Sequence, residues 1–170
     1  MRNYFISIIF FTFFGTNALF AQTNINTEFY KVDLPKGSDF KVFAQSREET
    51  ANIDVYEFTL DKKPKYLLYL LSNKLNEGHS PIVEENLDSY LSDLGNDIKV
   101  VSVEQLKGIL KVIIKYHNND YLTSIIYLSE TGNILNRFVF IFPNEQTRDL
   151  FHEEIQSIAL KNITCNKTGW

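Results

Sequence analysis

The chain of 170 residues has a single cysteine, Cys165, and only four prolines. One cysteine excludes a disulfide within the chain, so the fold has to be stabilised by the burial of apolar side chains. Seven glycines and four prolines exclude collagen-like and low-complexity classes. Neither sign of charge dominates, because 17 basic and 21 acidic residues give a formal net charge of −4. This mildly acidic balance argues against general binding to nucleic acid.

The only long apolar run lies at the N-terminus, over residues 4–14. It follows Arg2 and is too short to span a bilayer, which takes about 20 residues. Because small residues follow the run, we predict a secretory signal peptide over residues 1–21, cleaved between Ala21 and Gln22, rather than an uncleaved anchor. Gln22 stands where a lipoprotein would carry its acylated cysteine. We therefore expect a periplasmic or secreted protein with no stable membrane insertion after cleavage.

The remaining chain is predicted to form one domain over residues 22–170. Its 44% hydrophobic and 14% aromatic content is sufficient to fill a core. No stretch rich in Pro, Gly or Ser divides it, and we place the ordered core at about residues 27–162 between polar ends. Cys165 falls in the polar C-terminal end, where we interpret it as an incidental free thiol.

The first half of the domain is predicted to be β. Apolar patterns bounded by turn residues predict strands over residues 29–34, 40–44 and 53–60. The apolar run over residues 66–71 fits either a helix or a strand buried on both faces. Because residues 61–65 suggest a turn after the preceding strand, we predict a strand here.

Two helices are predicted in the second half. Ser80 is a suitable cap, Pro81 suits the first turn, and apolar residues spaced by three and four continue to Leu94. A last helix is predicted after Pro143 with Asn144 as its cap and one apolar stripe, consisting of Phe151, Ile155, Ile158 and Ala159. We expect both helices to pack on a sheet.

Between these helices the sequence predicts a meander of strands near residues 98–103, 109–116, 121–128 and 134–142. We predict that Tyr116 faces Tyr121, which makes Lys111, Ile126 and Arg137 cross-strand neighbours. One face then gathers the core residues Leu110, Val112, Ile114, Tyr116, Tyr121, Ile125, Tyr127, Phe138, Phe140 and Phe142. The opposite face is too apolar for free water. The expected fold is therefore α+β, a largely antiparallel sheet with helices packed on both faces in three α/β/α layers.

Several motifs resemble the PsbP-like fold family. They are the opening strand with Leu34-Pro-Lys-Gly37, the segment Leu87-Asp-Ser-Tyr-Leu91, Gly108 before a strand, and the path from Tyr127 through Phe138-Val-Phe-Ile-Phe142 to a last helix. The family includes an extrinsic protein of the photosynthetic oxygen-evolving complex, a Ran-binding nuclear transport factor and bacterial envelope proteins. The resemblance implies a binding or assembly module, and it transfers neither a catalytic residue nor a metal-binding histidine.

Sequence motifs for catalysis are weak. His152-Glu-Glu-Ile-Gln156 resembles a zinc-protease helix, but Gln156 stands where the second histidine is needed. His79 and His117 have no cysteine or carboxylate at ligand spacing. We therefore predict no catalytic residue, no cofactor and no metal site, although a hydrolase with two converging carboxylates remains an alternative.

Three cations in the predicted sheet, Lys111, Lys115 and Arg137, are a candidate partner-binding face, because cations beside exposed aliphatic side chains suit a protein ligand. Alternatively, their aliphatic stems cover the sheet beneath a helix. The favoured function is an exported, non-catalytic protein-binding or assembly module with another envelope or secreted protein as its partner. One alternative is an immunity or accessory factor for a secreted effector. Another is a small-molecule or lipid binder that uses a gap beside the aromatic face.

Overall fold

The computed structural model describes residues 24–61, 63–94, 97–117, 119–167 and 169–170. The predicted signal peptide and its cleavage site at Ala21 and Gln22 lie outside these ranges. The described strands are β1 (Asn24–Asn26), β2 (Tyr30–Asp33), β3 (Asp39–Arg47), β4 (Ala51–Leu60), β5 (Lys63–Lys74), β6 (Ile98–Leu106), β7 (Ile109–Tyr116), β8 (Asn119–Thr131), β9 (Ile134–Phe142) and β10 (Ile163–Cys165). The described α-helices are α1 (Leu87–Leu91) and α2 (Glu145–Ser157).

Seven of these strands form one antiparallel sheet in the order β3-β4-β5-β9-β8-β7-β6. The predicted strand over residues 66–71 is confirmed as part of β5, which is central and therefore buried on both faces. Its Leu-rich sequence overrides helix propensity because both faces of a central strand need apolar side chains. A second sheet of three short strands has the order β1-β2-β10.

The two faces of the large sheet carry separate core clusters. One face, called the aromatic face here, is filled by Tyr66, Phe138, Phe140 and Phe142 and packs against the small sheet and Ile155 of α2. The second face carries Leu71, Val112 and Ile126 and packs against the apolar side of α1. Successive residues of β9 alternate between the two clusters, as expected from the pleat of a strand.

The predicted register between β7 and β8 is wrong by one residue. The structure pairs Leu110 with Leu128 and Val112 with Ile126, and the register shifts between Lys115 and Tyr116. A slip of one residue moves every side chain of a strand to the other face. Several residues predicted on the aromatic face therefore lie on the second face, among them Leu110, Val112, Ile114 and Tyr116.

The predicted helix after Ser80 is shorter than expected. Residues 80–83 are not helical, and a 3-10 turn begins at Glu84, followed by α1 and a second 3-10 turn that ends at Leu94. Ser80 does not cap this segment, because Val83 is extended with φ −135° and the first helical turn begins only after it. The Ser80 carbonyl instead accepts a hydrogen bond from the Tyr90 hydroxyl. The apolar spacing nevertheless places Leu87, Tyr90 and Leu91 in the core, as predicted.

The C-terminal part of the chain is more ordered than predicted. Asn144 caps α2 by accepting a hydrogen bond from the backbone N–H of Thr147 at 2.8 Å, which confirms the predicted cap. The helix continues as a π-helical turn over Ile158–Asn162 and leads directly into β10. The segment predicted as a polar end thus forms a strand, and partial burial raises the pKa of the Cys165 thiol.

None of the helices in the described ranges has the length and apolar character needed to cross a bilayer.

Candidate functional site

Two of the three cations of the predicted partner-binding face, Lys111 and Lys115, contact α2 on the aromatic face. The Nζ atom of Lys111 lies 3.0 Å from Glu104 Oε2 and 3.1 Å from Gln156 Oε1. Lys111 itself is only 6% exposed. Lys115 Nζ lies 2.6 Å from Glu145 Oε1, which lowers the pKa of the Glu145 carboxyl. The stem of Lys111 covers the sheet beneath a helix, which is the alternative interpretation of these cations.

Arg137 lies on the second face. Its side chain is buried and donates hydrogen bonds to the Tyr90 carbonyl at 3.3 Å and to Asn73 Oδ1 at 2.7 Å. Leu128 is its partner in β8, whereas Lys111 pairs with Tyr127. The prediction that Lys111, Ile126 and Arg137 are cross-strand neighbours is therefore wrong, because the register slip separates Arg137 from both lysines.

The most exposed apolar side chains of the sheet lie on β3, at one edge. Val42 and Phe43 are each 58% exposed, and the register with β4 shifts between Val42 and Ala44, so Phe43 is the extra residue of a β-bulge. On its other side β3 has no strand partner among the described residues. We call Lys41, Val42, Phe43 and Arg47 the β3 edge.

Charged groups flank this apolar pair. Lys41 Nζ forms an ion pair with Glu57 at 3.0 Å, and Arg47 Nη2 forms one with the buried Asp54 at 2.6 Å. An apolar centre between polar neighbours is typical of a protein-binding patch. This patch was not predicted, although apolar residues at both 42 and 43 break the alternation expected of a strand with one buried face.

The opposite edge strand of the sheet also has an exposed apolar residue at a β-bulge, but a less exposed one. Strand β6 has a register shift between Val100 and Ser102, and the intervening Val101 is 48% exposed. Bulges at edges twist a strand away from further pairing. An aromatic ring offers more apolar area than valine, so the β3 edge is the stronger candidate.

The buried hydroxyl of Tyr30 forms hydrogen bonds that connect the two sheets. The Tyr30 hydroxyl lies against the Leu71 carbonyl, Ser72 Oγ and Asn136 Oδ1, and burial strongly raises its pKa. This contact joins the small sheet to the large one, because Tyr30 belongs to β2 and its partners to β5 and β9.

A half-buried carboxylate, that of Glu154, connects α2 to the sheet. Glu154 accepts hydrogen bonds from Lys65 Nζ at 2.7 and 2.8 Å and from the Tyr66 hydroxyl at 3.0 Å. Burial, together with the Glu154 carboxylate, raises the pKa of Tyr66. One member of the acidic pair in the zinc-protease-like segment thus holds the helix on the sheet.

The zinc-protease-like segment lines a groove of about 510 Å³ along α2, with His152, Glu153, Gln156 and Lys161 in its wall. Burial and the nearby Lys111 lower the pKa of His152. Among the described residues no group of three or more His, Cys, Asp or Glu is placed to hold a metal ion.

The aromatic side chains that were considered as a ligand site pack against one another. Tyr127 and Phe140 are fully buried and meet edge to face, with ring centroids 6.0 Å apart. Neither residue lines the groove along α2.

A second groove, the C-terminal groove, has a volume of about 600 Å³. It lies between the loop after β5, the β8–β9 turn and the end of the chain, and is lined by Lys74, Asn76, Glu77, His79, Asn133 and Trp170 among others. His79 Nδ1 lies 3.1 Å from the Asn76 carbonyl and Nε2 lies 2.8 Å from Glu130 Oε1. Both partners are acceptors, so this geometry suits the protonated imidazolium, which donates from both nitrogens.

The hydrogen bond that His79 donates to Glu130, followed by the one that it donates to the Asn76 carbonyl, raises the pKa of His79 above its usual 6.5. Because the pKa of His79 is raised in the folded state, its interaction with Glu130 contributes fully to stability below about pH 6.5. This contribution is lost as the pH rises through the folded-state pKa of His79. We therefore expect the stability difference between wild type and His79→Ala to be largest at pH 5–6 and to shrink above neutrality. Urea unfolding at a series of pH values measures it.

Because the pair is exposed, the difference should also decrease with added salt. A Glu130→Gln variant is the matched control, since it retains the histidine and removes the charge that it faces. A difference that grows with rising pH would contradict the assignment of an imidazolium.

No family model and no curated protein matches the chain. Among solved structures, cyanobacterial PsbP (CyanoP) from Synechocystis sp. PCC 6803 is similar to it, with a TM-score of 0.55 and 9% sequence identity. The match covers 89% of this chain and 98% of that one. At this identity the likeness concerns the fold alone. The chain therefore has a PsbP-like α+β fold with a mostly antiparallel sheet, as its sequence motifs predict.

Proposed function

We propose that this protein is exported and works in the periplasm or outside the cell as a non-catalytic protein-binding module. The observation that carries the proposal is the pair Val42 and Phe43, exposed side by side on an edge strand. A partner protein can pack against this exposed apolar pair, where an aromatic anchor gives affinity and the charged neighbours give specificity. Phe43 is the side chain that we expect to anchor the partner.

The placement of the helices supports this use of the edge. Residues of α2 pack on the aromatic face and residues of α1 on the second face. In the three-layer α/β/α arrangement that we propose, both faces of the sheet are covered, and its edges are what a partner can reach. The partner is another envelope or secreted protein, since the N-terminal sequence favours export with cleavage after Ala21. N-terminal sequencing of the protein from the envelope fraction should then begin at Gln22.

The test is capture of the partner by tagged wild type, Phe43→Ser and Leu150→Ser at equal concentration from envelope extracts. Leu150 is a matched control because it is 73% exposed but lies on α2. We expect one protein to be recovered equally by wild type and Leu150→Ser and about tenfold less by Phe43→Ser, the usual effect of removing an interface anchor.

Unchanged unfolding curves for Phe43→Ser would show that the loss is local. Equal recovery by all three forms, or no specific protein with wild type, would argue against the proposed function.

A further inference from the structure

We propose that the C-terminal groove binds a short neutral oligosaccharide, with the indole ring of Trp170 as its stacking platform. This site is separate from the β3 edge and does not depend on the function proposed for that edge. Three features of the groove suit such a ligand: a fixed aromatic ring, polar side chains that can donate and accept hydrogen bonds, and balanced side-chain charge.

The aromatic ring is fixed in place by contacts within the protein. The backbone N–H of Trp170 donates to Asn133 Oδ1 at 2.9 Å, and its indole N–H donates to the Glu49 carbonyl at 2.6 Å. The ring of Phe29 packs beside the indole, with centroids 5.1 Å apart. A ligand would therefore meet a preorganised platform and would not have to order it on binding.

Asn133 also fixes the neighbouring wall. Its carbonyl accepts a hydrogen bond from the backbone N–H of Leu75 at 2.8 Å, so one residue of the β8–β9 turn connects the loop after β5 with the C-terminal tryptophan. The loop then forms a turn in which the N–H of His79 donates to the Asn76 carbonyl at 3.2 Å. Gly78 supplies the positive φ of +74° that this turn needs.

The free side chains of this wall suit a ligand rich in hydroxyl groups. Lys74, Asn76 and Glu77 are exposed, and none of their side chains has a hydrogen bond or ion pair with another described residue. Asn76 offers a donor and an acceptor, Lys74 donates and Glu77 accepts. Sugar hydroxyls both donate and accept, so they suit all three side chains.

The charge of the groove argues for a neutral ligand. Lys74 and Glu77 carry opposite charges, and the imidazolium of His79 faces the Glu130 carboxylate at 2.8 Å. These side chains therefore carry no excess charge that would attract an anion or a cation. The face of an indole is electron-rich and attracts the C–H groups on the apolar face of a sugar. A volume of about 600 Å³ is ample for a short oligosaccharide.

The chain has only one tryptophan, so the emission of Trp170 reports directly on this groove. The experiment titrates the purified protein with chitotriose, maltotriose and inorganic phosphate while the fluorescence is recorded. We expect a saturable change with at least one trisaccharide and none with phosphate. Tighter binding of chitotriose would indicate an amino-sugar glycan as the ligand, and tighter binding of maltotriose would indicate a glucan.

Two variants locate the binding. Asn76→Ala and Glu77→Ala should each weaken saccharide binding roughly fivefold, as expected for the loss of a hydrogen bond. Glu85→Ala, an exposed substitution beside α1, and Phe43→Ser should leave it unchanged, and the latter separates this site from the β3 edge. A response to neither sugar, a saturable response to phosphate, or unaltered binding in both groove variants would overturn the proposal.

Discussion

Replacing Phe140 with alanine should lower the free energy of unfolding by about 3–5 kcal/mol, the range for deleting a buried aromatic ring. Phe140 is fully buried in β9 near the middle of the aromatic face. Its ring meets Tyr66 and Tyr127 with centroid distances of 5.7 and 6.0 Å. Alanine would leave a cavity there, and the central strands on either side limit how far the site can collapse. Chemical denaturation with a two-state fit measures the change.

Phe43→Ala is the matched control, because it deletes the same ring from an exposed position. We expect it to alter stability by no more than about 0.5 kcal/mol, as is usual for surface substitutions. The two variants together separate a structural phenylalanine from one available to a partner. Similar losses in both would mean that Phe43 belongs to the core and would remove the basis of the β3 edge.

Arg137→Ala should also be strongly destabilising, by about 2–4 kcal/mol, although arginine is commonly a surface residue. Its guanidinium donates to the Tyr90 carbonyl and Asn73 Oδ1 and so connects α1 with β5 and β9. The substitution removes both hydrogen bonds and leaves a void around the buried stem. Thermal and urea unfolding measure the loss.

Lys115→Ala provides the comparison, since its ion pair with Glu145 is 43–45% exposed. Exposed pairs contribute about 0–1 kcal/mol, and we expect a change within that range. Equal effects of the two substitutions would contradict the contrast between a buried Arg137 and an exposed Lys115 ion pair.

Most of the fold follows from local patterns in the sequence. Strands β7 and β9 have the predicted bounds because apolar residues and turn signals delimit them sharply. The Asn144 cap and the apolar stripe of α2 were equally clear. Such features depend on neighbours in the chain, and the sequence displays those neighbours directly.

The faces of the sheet were harder to predict because they depend on pairing between strands. The irregularity between Lys115 and Tyr116 shifts the register of β7 against β8, and nothing in the residue types marks it. The error moved Leu110, Val112 and Ile114 to the wrong face and brought Arg137 beside Lys111. Strand order is also a tertiary property, so the exposure of Val42 and Phe43 at an edge became visible only in the folded chain.

The claim that a partner binds at the β3 edge can be tested by site-specific photo-crosslinking in growing cells. A photoreactive phenylalanine analogue is placed at position 43 and, as a control, at Leu150 on α2. We predict one dominant crosslinked product from position 43 that is absent from position 150. Crosslinking at both positions to the same proteins, or at neither, would contradict the claim.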